Sequence, residues 1–237
     1  MSFQALRTLI GAPPYTQEIN ACLSRLTTAS PSSSSSTTPS ASSPQPVAIQ
    51  EPEIKVYPDA LYINYHSLGI SLCCLPVQED LRLQAGAWRP EEVMIDSIDL
   101  YNPRPKPQEV TGGRRRPRGP EWRKYAGLPI YIPLKEGDEE NMTFPLVDTA
   151  TGKALVSAFG EPSRKGGGIG WVDVWLEWEL PSLNGTGIHV SLEDPRGEEV
   201  VNEEEQRRGL GGVWDRAGGW VWGACKLYDS SRTSRTK

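Results

Sequence analysis

The sequence predicts an α+β protein: two tandem helix–three-strand repeats that form an antiparallel sheet with the helices packed on one face. Three paired observations carry this. Leu155-Val-Ser-Ala-Phe-Gly160-Glu-Pro162 has a cruder copy in Leu6-Arg-Thr-Leu-Ile-Gly11-Ala-Pro13. Leu68-Gly69-Ile-Ser-Leu72 matches Thr186-Gly187-Ile-His-Val190, and Leu100-Tyr101-Asn102 matches Leu227-Tyr228-Asp229. Three short motifs in the same order point to duplication. One such unit cannot bury its helix alone, but two units can join their sheets and stack their helices on one side.

The elements follow in chain order. Phe3 to Ile10 predicts a short helix stopped by Gly11 and followed by prolines, the usual order of a glycine C-cap. Thr16 to Leu26 predicts a second helix, with Ile19, Leu23 and Leu26 on one face. Positions 27–50 are a Ser-, Thr- and Pro-rich insert that buries too little to offset its ordering entropy, so disorder is expected. Leu61, Ile63 and Tyr65 alternate with Tyr62, Asn64 and His66 at strand period. Ser67 to Gly69 is a turn, Ile70 to Leu75 the returning strand, and Met94 to Tyr101 a third strand that closes the first repeat at residue 102.

Residues 103–127 read as a basic, Pro- and Gly-rich linker in which Arg114 to Arg118 stand as a nuclear-import signal, an acidic-partner contact or a solvated insertion. The second repeat is expected over 128–229. Leu128 to Leu134 adds an edge strand, because Pro129 and Pro133 exclude a central position. Thr151 or Asp148 caps a helix through Phe159. Trp171 to Leu180, Gly187 to Leu192 and Val221 to Tyr228 are its strands. An acidic loop, Glu193 to Glu205, separates the last two, and 230–237 is a frayed tail.

The chain has 237 residues and a net charge of -5, too mild for a nucleic-acid partner to be expected. Cys22, Cys73, Cys74 and Cys225 form no C-x-x-C pair, and with two histidines no metal-ligand spacing appears. No metal or cofactor is expected, and the cysteines read as small apolar residues in a reducing compartment. The start of the chain lacks a signal-peptide pattern and no run is long enough for a membrane span, which predicts a cytoplasmic, possibly nuclear, protein.

These motifs resemble known repeats. A helix ending in Phe159-Gly160-Glu161-Pro162 before antiparallel strands is similar to the repeat of the bacterial SmpA/OmlA outer-membrane assembly lipoproteins. It also resembles the tandem repeats of β-lactamase inhibitory proteins and the phagosome assembly factor family. Tyr62 to Leu72 and Gly160 to Gly168 resemble segments of an uncharacterised fungal family whose pattern covers most of the chain outside the two linkers. The resemblance implies a protein-binding module. It brings no activity, and the chain has no lipobox cysteine.

Strand alternation supplies the candidate residues. Val172, Val174, Leu176 and Trp178 share the core side, while Trp171, Asp173, Trp175, Glu177 and Glu179 share the other. In the last strand Trp220, Trp222, Lys226 and Tyr228 point away from Val221, Cys225 and Leu227. Trp171, Trp175, His189, Trp220 and Trp222 are thus expected on one surface. Either they form a binding patch for an unidentified protein or peptide, or the acidic loop, the linker or the partner repeat covers them. Ser163-Arg-Lys-Gly-Gly-Gly-Ile-Gly170 lacks the P-loop ending, yet Arg164 and Lys165 offer an anion contact or a flexible turn. His66 and His189 fall at comparable hairpin positions without a spaced catalytic partner, so a non-enzymatic role is expected. The alternatives are a trafficking factor touching anionic lipid and an enzyme for a small anion around Arg164, Lys165 and His189.

Overall fold

The computed structural model describes residues 2–28, 51–104, 120–134, 142–167, 174–180, 183, 185–193 and 215–233. Most of the Ser-rich insert, most of the basic linker, Trp171, Gly168 to Gly170, the acidic loop after Glu193 and the end of the tail lie outside these residues. The described chain is mixed α+β, with few helices and one large antiparallel sheet.

Two short helices come first, α1 (Phe3–Arg7) and α2 (Gln17–Thr28). Ser2 caps α1 by accepting from the Ala5 N–H at 3.2 Å. Four strands follow: β1 (Glu53–Val56), β2 (Leu61–Tyr65), β3 (Ile70–Pro76) and β4 (Val93–Tyr101). β5 (Ile130–Pro133) and β6 (Thr143–Leu146) make a separate two-stranded ribbon. Among the described residues, the expected edge strand around Leu128 to Leu134 therefore pairs only with β6. Helix α3 (Gly152–Phe159) is capped by Thr151, whose hydroxyl accepts from Ala154 N–H. After it come β7 (Arg164–Gly166), β8 (Val174–Leu180), β9 (Thr186–Glu193), β10 (Val221–Asp229) and α4 (Ser230–Thr233).

Among the described residues the large sheet has eight strands, in the order β1-β2-β3-β4-β10-β9-β8-β7. Each half is a four-stranded meander, and the two meet edge to edge where β4 pairs with β10. Each meander thus carries one strand more than expected. The extra strands, β1 and β7, are the outer edges, four and three residues long. Short charged edge strands with Lys55, Arg164 and Lys165 resist pairing with other sheets.

One face of the sheet is apolar. Ile54, Ile63, Leu72, Ile98, Leu227, Ile188 and Trp178 succeed one another across neighbouring strands. Against this face lie Phe3 and Leu6 of α1, Ile19, Leu23 and Leu26 of α2, Leu155 of α3, and Ile130, Ile132 and Leu146 of the ribbon. All belong to one continuous core that spans both meanders. The thiols of Cys74 and Cys225 are pushed up to about 12 by burial, so they stay protonated and unreactive.

A bulge in β10 decides the fate of one tryptophan. Trp222 lies opposite Leu192, but the next paired residue is Ala224, opposite Ser191. Gly223 is the extra residue, and the alternation changes phase there. The register of this bulge is held by Asn102, whose backbone N–H donates to Gly223 O at 2.7 Å while its amide donates to Trp222 O at 2.8 Å. Trp222 consequently turns into the core. It is 0% exposed, and its indole N–H donates to Val147 O at 2.7 Å. The expectation that Trp222 shares the open face with Lys226 and Tyr228 is overturned, because unbroken alternation does not hold across Gly223.

Candidate functional site

The face opposite the core is polar from edge to edge. A single register row crosses all eight strands: Glu53, Asn64, Ser71, Asp99, Lys226, His189, Glu177 and Arg164. Neighbours in such a row have adjacent Cβ atoms and interact directly. In the first meander, Ser71 Oγ donates to Asn64 Oδ1 at 2.7 Å, and Asn64 Nδ2 reaches Glu53 Oε2 at 3.3 Å. In the second, His189 Nδ1 meets Glu177 Oε2 at 3.3 Å, Arg164 forms an ion pair with Glu177, and Lys226 Nζ stands 3.8 Å from Asp99.

A strap covers the first half of this face. Within residues 120–126, Arg123 N–H donates to His66 O at 3.0 Å, Tyr125 N–H to Tyr101 O at 2.7 Å, and Ala126 N–H to Leu68 O at 3.1 Å. These bonds lay Trp122 on Tyr101, with ring centroids 3.8 Å apart and planes at 18°, and against His66 at 4.1 Å. His66 in turn meets Glu53 at 2.9 Å. That contact is the main reason the Glu53 carboxyl sits below its ordinary range, with Lys55 and Asn64 adding to it. Beneath this cover Asn64 is 6% and Ser71 1% exposed. A neutral amide–hydroxyl pair satisfies itself in such a place, whereas an unpaired charge would not.

The second half carries no such strap among the described residues. It holds a hollow of about 490 Å³ lined by Asp99, Arg164, Glu177, His189, Lys226 and Tyr228, with Asp96, Ser97, Ser191 and Ala224 completing its wall and floor. Its shape follows from side-chain size. Along one row, Tyr101, Ala224, Ser191 and Trp175 are cross-strand neighbours, so two small residues sit between two aromatic ones. Trp175 stacks flat on His189, with centroids 5.1 Å apart and planes at 22°. It also presses on Gly166, where an added Cβ would come within 2.4 Å of the indole.

Electrostatics in the hollow are balanced by pairing. Burial pushes Glu177 up, but Tyr228, His189 and Arg164 outweigh it and hold its carboxyl below the ordinary range. Burial, then the Glu177 carboxylate, push the Tyr228 phenol well up. Asp99 is raised by burial, and Lys226 and His189 only partly offset that. Among the described residues, no group of three His, Cys, Asp or Glu side chains is placed to hold a metal ion.

Of the residues singled out in the sequence, Trp175, His189 and Arg164 come together here. Trp220 is half-buried and packs against the core, away from this face, and Trp222 is inside it. Trp171 lies outside the described residues. Lys165 does not join Arg164: alternation along β7 sends them to opposite sides, and Lys165 pairs with Glu161 at 2.9 Å. His66 and His189 are not counterparts. Gly69 meets Tyr101 as Gly187 meets Tyr228, so the register counterpart of His189 is Ser71, while His66 sits in the turn before β3. Trp122, Lys226 and Asp99 were not expected as site residues. A lone tryptophan after a Pro- and Arg-rich run was the available signal for Trp122, since such a ring seeks cover. No helix among the described residues is long and apolar enough to cross a membrane. No family model, curated protein or solved structure matches the chain.

Proposed function

We propose that this chain is a non-enzymatic binding module that docks a protein through the polar face of β10, β9 and β8, which no described segment covers. One observation carries the reading. The same polar row is roofed by Trp122 over the first meander and open as a hollow over the second. The docking surface is a charged floor with one aromatic wall, Trp175, and not a cluster of tryptophans. Rigid strands present it, so little order is lost on binding. The finer architecture belongs to the same proposal: the two meanders descend from a duplicated helix–sheet unit. The equivalent placing of Gly69 with Tyr101 and Gly187 with Tyr228 supports that.

The test uses Ser191→Cys carrying a benzophenone maleimide. The native cysteines are buried, so labelling is selective. On irradiation in native cell extract, the label at Ser191 should capture a protein that a label at Glu161→Cys does not. Filling the hollow with Ala224→Trp should abolish that capture. Equal capture from both positions, or none from Ser191, overturns the reading.

A further inference from the structure

The open half of the polar row has an order of charge that matches itself when reversed. From β4 to β7 it reads Asp99, Lys226, His189, Glu177, Arg164, which is minus, plus, imidazole, minus, plus. We propose that this face docks on the same face of a second copy of the chain, about a twofold axis that runs parallel to the strands through β9. The inference rests on the docking reading above and names its occupant.

The geometry follows from symmetry. Two faces that meet about a twofold must have the axis in the plane between them. An axis along the strands keeps each row at its level and reverses its order. Asp99 then faces Arg164 of the second copy, Lys226 faces Glu177 of the second copy, and the two His189 rings meet on the axis. An axis across the strands would instead set Lys226 against Lys226 and Glu177 against Glu177, which is repulsive. Charge therefore selects one of the two face-to-face arrangements.

On a second row, Ala224, Ser191 and Trp175 lie on β10, β9 and β8 at one level. Reversal about β9 brings the Trp175 position of each copy over the Ala224 position of the other, with the indole itself leaning onto Gly166 of β7. The overlap runs only from β4 to β7 because β7 is the edge, and Trp122, stacked on Tyr101 of β4, bounds it on that side.

The size of the contact sets its strength. Four strands about 20–25 Å long and the three-residue β7, spaced about 4.8 Å apart, offer roughly 450–500 Å² per copy. That is near the lower limit for a specific interface, so the dimer should be weak, with a dissociation constant on the order of micromolar. It should weaken further in salt, because its pairs lie partly in solvent; Lys226 is 41% exposed.

The test is sedimentation velocity of the full chain over a micromolar concentration series, with circular dichroism to verify folding. Wild type should dimerise. Lys226→Glu alone and Glu177→Lys alone should each weaken dimerisation at least tenfold, because each sets like charges face to face. An equimolar mixture of the two should dimerise again: Glu at 226 meets Lys at 177 in one direction, and the native Lys226 meets the native Glu177 in the other. A variant that merely misfolds cannot be rescued by mixing. Wild type that stays monomeric, or a mixture no tighter than the separate variants, overturns the proposal. The benzophenone label at Ser191 separates the two levels. Capture of a different protein removes the second copy as occupant and leaves the docking face standing, and no capture removes both.

Discussion

The two halves of one polar row were handled in opposite ways. In the first meander the central pair is Asn64 and Ser71, neutral, hydrogen-bonded and roofed by Trp122. In the second the register counterparts are Glu177 and His189, titratable and open to a hollow. The difference teaches which came with which. A covered pair is satisfied at least cost when it is neutral, because desolvating a carboxylate costs far more than desolvating an amide. An open row can keep its charges and present them. The glycines beside the two tyrosines tell the same story. A Cβ at Gly69 would lie 2.4 Å from Arg123 O and 2.5 Å from Tyr125 N, so that glycine makes room for the strap backbone. A Cβ at Gly187 would instead meet the ring of Tyr228.

The strongest way to break the comparison is through the tryptophans. Trp222→Ala should destabilise the fold by about 3–5 kcal/mol, since it removes a fully buried indole and its bond to Val147. Trp175→Ala, on the open face, should cost about 1 kcal/mol or less in the same chemical denaturation experiment. Equal effects would mean that the hollow is as much core as the interior.

Next comes Gly69→Ala, expected to cost about 2–4 kcal/mol because the φ of +65° is strained for alanine and the strap backbone cannot retreat without losing its bonds. Gly187→Ala should cost about 1 kcal/mol, because a ring can swing where a backbone cannot. Thermal melts of the two variants side by side would show the order.

Trp122→Ala sharpens the comparison by unroofing the first half. Loss of its stacking on Tyr101 and His66 should cost about 0.5–1.5 kcal/mol beyond lost burial. Amide exchange should accelerate in β2 and β3 while β8 and β9 keep their protection. Unchanged exchange in β2 and β3 would show that the strap is held without its ring.

The smallest effects are those of pH, and they run in opposite directions within the open half. Glu177 is held below its ordinary range, so it adds stability above the unfolded carboxylate value and that stability is lost as pH falls through the folded value. Asp99 is raised by burial, so it costs stability near neutrality and the cost is relieved as pH falls. Glu177→Gln should therefore flatten the acid limb of a stability–pH profile between about pH 5 and 3, and Asp99→Asn should steepen it. Shifts of the same sign from both would contradict these assignments.

Much of the fold was legible in the chain. The alternation of Val174, Leu176 and Trp178 against Trp175, Glu177 and Glu179 named the two faces of β8 correctly. The glycine and proline stops placed the helices within a few residues. The edge strands β1 and β7 were not legible, because three or four residues give too few periods to tell strand from loop. Arg164 and Lys165 looked like partners for the same reason, although a strand sends adjacent residues to opposite faces. Trp222 was misplaced by one glycine. Gly223 in the middle of an apolar run is a bulge signal, but only the bond from Asn102 decides that the bulge forms there.

By itself, then, the sequence determined the alternation along β8, the glycines that stop the helices and the apolar character of the four cysteines. These are local properties, written in the two-residue period of the backbone. Tertiary structure alone decided that Asp99 and Lys226, on strands far apart in the chain, become neighbours in one row and that Trp122 roofs only half of it. Register between distant strands is set by how their apolar faces fill a shared core, and no single segment carries that information.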